Sequence, residues 1–278
     1  MLKSKSILIL LSAVICLSVS LIEAMAQKSR TKKLTIQGST TVLPIAQRCA
    51  EEFMKEHPEA NISVRGGGSG VGIAALIDGT IDIATASRAM KTKELKKARV
   101  NGINPVAHVV ARDAIAVILH PQNPVNNLTK SQLKAIYTGA ISRWNEVGGS
   151  SDVIVVVSRD VASGTFEVFN ELALDKQRVR PDALMQASNQ AVVNIVASTN
   201  GAIGYVGLGY LSKEVKPIAI DGVMPSVATA KSGAYLLARS LYMYTDGKPK
   251  GLAKEFIDFV LGPKGQKIVK EEGFVPVK

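Results

Sequence analysis

The sequence predicts a mixed α/β protein, and three observations carry that reading. Short apolar runs of strand type alternate with amphipathic runs of helical period along the chain. A length of 278 residues leaves room for two modest domains with ample core. No Pro/Ser linker separates two sequential halves, so if two lobes exist the chain crosses between them more than once. Composition narrows the field. At 46% hydrophobic residues the chain is too apolar for an unfolded polyelectrolyte, and two cysteines cannot build a disulfide scaffold or an all-cysteine zinc site. The 34 Lys plus Arg against 23 Asp plus Glu give a formal charge of +11, which suits nucleic acid, an anionic surface or a small anion without choosing among them.

The first segment reads as an address. Lys3 and Lys5 precede a nearly uncharged run from Ile7 to Ile22, and Ala24-Met25-Ala26 puts small residues where a signal peptidase reads, so residues 1–26 are a secretory signal peptide. A membrane anchor would need about 18 or more apolar residues; this run is shorter and is interrupted by Ser12, Ser18 and Ser20. A lipid acceptor at Cys16 would want a small residue where Ile15 stands. Cleavage removes Lys3, Lys5 and Glu23, which lowers the formal charge by only one. It also leaves Cys49 alone, inside an apolar helical pattern where a thiol packs as a small hydrophobe.

The remaining elements follow in order. Leu34-Thr35-Ile36 is a strand ending at Gly38. From Thr41 to Lys55, the residues Leu43, Ala46, Ala50, Phe53 and Met54 keep three- and four-residue spacing, so this is a helix with Pro44 tolerated in its first turn. Ile62-Ser63-Val64 is a strand, a glycine-rich turn follows, a helix begins near Val71 and reaches Asp78, and Ile81-Asp82-Ile83-Ala84 is extended again. Ala114 to Leu119 is of buried-strand type, bounded by Pro121 and Pro124. Thr129 to Thr138 is a short helix, with Gln132 placed to complete a capping box with Thr129. Val153 to Val157 is a strand, Thr165 to Leu174 a helix, and Ile203 to Val206 and Leu241 to Tyr244 are later strands. The last clear helix runs from Lys254 to Leu261 and stops before Gly262-Pro263.

Three loops share one design. Gly38-Ser39-Thr40-Thr41, Gly66-Gly67-Gly68-Ser69-Gly70 and Ser158-Arg159-Asp160-Val161-Ala162-Ser163-Gly164-Thr165 each follow a strand and open a helix. At such a start, unpaired backbone N–H groups and the positive end of the helix dipole face outwards and bind anions. One Gly-Ser-Thr turn alone would usually be a cap. Three together, with Arg159 beside the third, point to a tetrahedral oxyanion held by neutral donors and one guanidinium, whose planar fork meets two oxygens at once.

Enzymatic alternatives fail on spacing. No Gly-Lys-Ser/Thr closes the glycine loop as in a nucleotide P-loop, and Val71 stands where both a dinucleotide turn and a nucleophile elbow need glycine. His57, His108 and His120 have no metal-ligand spacing and read as surface or packing residues. A phosphoester hydrolase would need metal ligands or an activated nucleophile, and neither is present. A nucleic-acid binder would interleave clustered basic residues with exposed aromatics. Here the densest groups, Arg30 to Lys33 and Lys91 to Arg99, read as a flexible start and a solvated helix face.

These residues resemble a known family. Gly38-Ser39-Thr40-Thr41, Gly67-Gly68-Ser69-Gly70, Asp82 to Arg88 and Arg159 to Thr165 are similar to the ligand loops of the periplasmic phosphate-binding proteins of ABC-type phosphate importers. Leu133 to Gly149, with Ile136-Tyr137-Thr138-Gly139 and Trp144-Asn145, and Gly201 to Val206 fit as well, in the same order. The resemblance implies a type II periplasmic-binding-protein fold: two α/β lobes joined by two crossing segments, with the ligand in the interlobe cleft and closure by hinge motion. Residues 27–112 with 240–278 would form lobe I, and residues 113–239 lobe II.

It also implies a site. The expected phosphate-binding residues are Ser39, Thr40, Thr41, Ser69, Gly70, Ser87, Arg159, Ser163, Gly164 and Thr165. Thr40 would donate from side chain and backbone, Ser69 from hydroxyl and amide, Arg159 a charge-assisted fork, and Ser163, Gly164 and Thr165 the helix-end donors. No catalytic residue, metal or cofactor is implied. The partners would be inorganic phosphate and an inner-membrane ABC permease, the compartment the periplasm, and the state a monomer. One departure stands out. Ser87, followed by Arg88, occupies the place where the family carries an aspartate that accepts a hydrogen bond from protonated phosphate. A neutral acceptor rejects a fully ionised anion less firmly, so sulfate or arsenate is an alternative ligand, and a surface adhesin or sensor partner an alternative role. Asp160 would either take over as acceptor or orient Arg159. Arg88 would either add charge near the cleft or sit solvated at a strand end.

Overall fold

The computed structural model describes residues 32–277, so the expected signal peptide lies outside the described residues. The chain begins with β1 (Lys32–Gly38), α1 (Leu43–Glu56), β2 (Ala60–Arg65), α2 (Ser69–Ile77), β3 (Ile83–Ala86) and α3 (Thr92–Val100). It continues through β4 (Pro105–Leu119), β5 (Asn127–Leu128), α4 (Lys130–Thr138), β6 (Val155–Arg159), α5 (Gly164–Leu172), β7 (Leu184–Gln186), α6 (Asn189–Ser198) and β8 (Ala202–Gly207). The last part holds β9 (Lys216–Pro217), β10 (Ala219–Ile220), α7 (Val227–Ser232), β11 (Ala238–Asp246), α8 (Gly251–Leu261) and α9 (Pro263–Glu271).

A curled sheet runs through the molecule in the order β2-β1-β3-β11-β4-β8-β6-β7. Pairing is parallel at β1–β2, β1–β3, β6–β8 and β6–β7, as expected where helices connect the strands. It is antiparallel where β11 lies between β3 and β4, and where β4 meets β8. Buried side chains segregate on either side of this middle. One cluster gathers residues from Ala114 to Leu237 together with Val275. The others draw on Leu34 to Ala111 and on Leu241 to Phe274. The protein is thus two-lobed, and β4 and β11 are its two crossing segments.

The sequence shows why each lobe closes on itself. In α1 the residues Ile45, Ala46, Cys49, Ala50 and Phe53 turn inwards, and Pro44 sits in the first turn, where its missing N–H costs nothing. Cys49 is fully buried, and burial, then the nearby Glu272 charge, pushes its thiol up to about 12. The capping box of α4 is present: Thr129 Oγ1 accepts from the Gln132 amide at 3.1 Å, and Gln132 Oε1 from the Thr129 amide at 2.9 Å. Trp144, also fully buried, donates to the Gly201 carbonyl at 2.9 Å and ties two distant stretches together.

Several elements depart from the expected pattern, among them β4, α6 and α9. β4 begins at Pro105, well before Ala114; residues 105–109 are only half-buried or exposed, whereas everything from Asp113 to Leu119 is buried. The polar residues His108, Arg112 and Asp113 hid that first half. The helix expected to be the last, α8, is followed by α9, since Pro263 occupies the first turn, where proline is favoured, and Gly262 flanks both helices. Helix α6, capped by Ser188 accepting from the Ala191 amide, had no counterpart in the sequence reading. Among the described residues, no helix is long and apolar enough to cross a membrane.

Candidate functional site

The three hydroxyl-and-glycine helix starts meet where the lobes face each other. Of the ten expected residues, Ser39, Thr40, Thr41, Ser69, Ser87, Arg159, Ser163, Gly164 and Thr165 are buried there, and Gly70 is half-buried. The first loop is shaped by Ser39, whose Oγ accepts from the Thr41 and Val42 amides at 3.1 and 3.4 Å. Gly38 is obligatory: its φ is +143°, and a Cβ would come within 2.1 Å of the Thr85 carbonyl oxygen. In the second loop, Ser69 Oγ accepts from the Ser87 amide at 3.0 Å and lies 3.3 Å from Ser87 Oγ. In the third, Ser163 caps α5 by accepting from the Phe166 amide at 3.2 Å. Asp160 accepts from the Ala162 amide at 3.0 Å, so its carboxylate shapes the loop backbone.

Several bonds join the lobes directly. Arg159 Nη2 donates to Thr40 Oγ1 at 3.1 Å, the Thr41 and Thr165 hydroxyls lie 3.0 Å apart, and the Gly70 amide donates to the Ala162 carbonyl at 2.9 Å. Gly70 is therefore engaged across the cleft through its N–H. Arg159 is held from behind by the Gln186 carbonyl on Nε and the Ala187 carbonyl on Nη2, both at 3.0 Å. Its Nη1 is buried and has no hydrogen-bond partner among the described residues. Burial pulls the guanidinium down from its ordinary value, the mark of a cation with too little opposite charge nearby. Chemically this corner is a nest of hydroxyl and amide donors around one under-satisfied cation. It is suited to an oxyanion and offers no nucleophile–base pair.

Four residues passed over in the sequence complete the arrangement. Asp113 on β4 and Arg239 on β11 stand opposite one another in the strand pairing and form a buried ion pair, Nη2 to Oδ2 at 2.8 Å. Burial pushes the Asp113 carboxyl up and the Arg239 guanidinium down, each partly offset by the other. Arg239 also donates from Nη1 to Thr165 Oγ1 at 3.0 Å and from Nη2 to Thr41 Oγ1 at 3.3 Å. Asn189, at the start of α6, donates from Nδ2 to both Thr40 Oγ1 and Thr41 Oγ1 at 3.1 Å. Tyr210 donates its hydroxyl to the Thr40 carbonyl. The signal available in the sequence was Asp113 and Arg239 just ahead of the apolar runs Ala114 to Leu119 and Leu241 to Tyr244, where a charge must be partnered to be buried.

Arg88 fits neither expected role. It is buried, donates to both oxygens of Glu94 at 2.7 and 2.8 Å, and pairs through Nε with Glu167 of the opposite lobe at 2.8 Å. Lys91 adds a second cation to Glu167. This network staples α3, α5 and the turn after β3 at the rim of the cleft, and its charge is spent on carboxylates. The histidines lie elsewhere: His57 stacks on Phe53 with centroids 4.1 Å apart, and His108 meets Thr245 Oγ1 at 3.0 Å. Among the described residues, no group of three His, Cys, Asp or Glu could hold a metal.

Comparison with known proteins gives a consistent picture. Residues 24–264 match the model of the PBP superfamily domain. The phosphate-binding protein PstS of Bacillus subtilis (strain 168) is 36% identical over 259 residues, covering 91% of this chain and 84% of that protein. PstS of Pseudomonas aeruginosa is 31% identical, covering 96% of this chain and 90% of that one. Among solved structures, a Clostridium perfringens protein, described as a candidate phosphate ABC transporter substrate-binding protein and carrying bound phosphate, superposes with a TM-score of 0.82. It is 32% identical and covers 89% of this chain and 100% of its own. An ABC-type phosphate transport receptor from Vibrio cholerae gives 0.73, also at 32% identity, covering 87% and 99%.

Proposed function

Because the chain belongs to the PBP superfamily and, within it, to the PstS family of phosphate-binding proteins, we propose that it captures inorganic phosphate between its lobes and delivers it to an ABC-type importer. The observation that carries this reading is Arg159, a buried guanidinium with one unpartnered nitrogen, surrounded by hydroxyls at three helix starts. Around it, Ser39, Thr40, Thr41, Ser69, Ser87, Ser163, Gly164 and Thr165 form the phosphate shell, and Gly70 closes it through its bond across the cleft. Charge-assisted bonds of roughly 1.5–3 kcal/mol each, a handful of them, supply the ~8 kcal/mol of micromolar binding once desolvation is subtracted.

Residues 27–112 with 240–278 constitute lobe I and residues 113–239 lobe II. The segregation of buried residues at Asp113 and Arg239 supports that division. The protein acts as a monomeric binder and carries no catalytic function. The basic start, apolar run and Ala24-Met25-Ala26 support export to the periplasm with cleavage after Ala26. Titration calorimetry tests the function. Phosphate is expected to bind one to one, and Arg159→Ala to weaken it at least tenfold, about 1.4 kcal/mol. Competition among phosphate, arsenate and sulfate tests the selectivity left open by Ser87. A clear response to sulfate with none to phosphate would overturn the ligand and leave the fold intact.

A further inference from the structure

We propose that Asn189 and Arg239 are positioning residues that fix the hydroxyls of Thr40 and Thr165 as hydrogen-bond donors, so that these two present protons to unprotonated oxyanion oxygens. The inference rests on the anion-binding reading above and concerns residues that reading does not use. A hydroxyl oxygen accepts through two lone pairs and donates one proton.

Asn189 is fully buried, and its Oδ1 accepts from the Gly207 amide at 3.3 Å, which fixes Nδ2 as the end facing the site. Its two N–H bonds go to Thr40 Oγ1 and Thr41 Oγ1, each at 3.1 Å. Thr40 Oγ1 also accepts from Arg159 Nη2 at 3.1 Å. Both of its lone pairs are occupied, so its proton must be given away. Thr41 Oγ1 accepts from Asn189 and, at 3.3 Å, from Arg239 Nη2. With both lone pairs filled it donates in turn, and the Thr165 hydroxyl 3.0 Å away receives that proton. Thr165 Oγ1 already accepts from Arg239 Nη1 at 3.0 Å. Its lone pairs are then full too, and its proton is passed onwards.

None of these donors can turn round without breaking a bond to a guanidinium or to Asn189. Arg239 is held in place by Asp113, which accepts from Nε at 3.0 Å and from Nη2 at 2.8 Å. The fork of Arg239 thus sets two threonines, one from each lobe, at the same time. A lysine could not do this, since it lacks the planar fork.

The test compares Asn189→Asp, Asn189→Ala and Arg239→Lys with the wild-type protein, using inorganic phosphate in calorimetry and the melting temperature without ligand. Aspartate is nearly isosteric, keeps the Gly207 bond and can accept from the Thr40 and Thr41 hydroxyls, whereas alanine leaves all three partners without it, so ligand-free stability should fall in the order wild type, Asp, Ala. Phosphate affinity should fall in a different order, wild type, Ala, Asp, because aspartate accepts the protons that Thr40 and Thr41 would otherwise send forward. A loss of at least tenfold is expected for Ala and about a hundredfold for Asp. Arg239→Lys keeps the charge opposite Asp113 and is expected to lose at least tenfold. Asn189→Asp binding phosphate as well as Asn189→Ala, or Arg239→Lys binding within about threefold of wild type, would overturn the proposal. Failure of the wild-type protein to bind phosphate would instead overturn the functional reading on which it rests.

Discussion

Substituting alanine for Gly164 asks whether the three helix starts must close on one another to bind. A Cβ there would stand 2.3 Å from Ser69 Oγ, 2.8 Å from Ser87 Oγ and 2.9 Å from Ser69 Cβ. Gly164 opens α5 on one side of the cleft, and both serines lie on the other. Ser69 is not free to swing aside, because its buried hydroxyl holds the Ser87 amide at 3.0 Å. Restoring ordinary van der Waals contact therefore parts the lobes by roughly 1 Å. At that separation the bonds from Gly70 to Ala162, Thr41 to Thr165 and Arg159 to Thr40, now 2.9–3.1 Å, pass out of hydrogen-bonding range. Two neutral bonds and one charged bond are worth roughly 3 kcal/mol or more together, about a hundredfold in Kd. Each lobe should still fold, since alanine is the better helix former. Calorimetry with phosphate and a ligand-free melt suffice. Wild-type phosphate affinity in Gly164→Ala, with an unchanged melt, would refute the closure argument.

Two further outcomes follow from the ionisable groups. Burial works against ionisation of Glu94, but the Arg88 guanidinium and the Lys91 amide outweigh it and hold the carboxyl below its ordinary 4.5. A depressed carboxyl contributes stability above the unfolded value and loses it as pH falls through the folded one. Glu94→Gln should therefore be less stable than wild type at neutral pH, with the gap closing below about pH 4.5 in urea melts; a gap constant from pH 7 to pH 3 would sink the assignment. Cys49, with its thiol pushed up to about 12 by burial, should resist iodoacetamide at about pH 8 in the native protein and react promptly in urea. Rapid native labelling would show that α1 opens readily.

The class of fold and the chemistry of the loops were legible in the residue pattern alone. Strand and helix patterning is local, so hydrophobic period exposed α1, α4 and most of the strands. A glycine and hydroxyl run between a strand and a helix announces its N–H donors wherever the chain later goes. What sequence could not supply was which charges would meet. Asp113 and Arg239 lie 126 positions apart and become neighbours only because β4 and β11 cross together between the lobes. Asn189 reaches Thr40 from 149 positions away. Arg88, one residue from an expected ligand, is turned away from the site by Glu94 and Glu167, a pairing no local pattern predicts. Tertiary structure decided these points because a buried charge or amide is stable only with its partners, and the partners are chosen by how the two lobes come together.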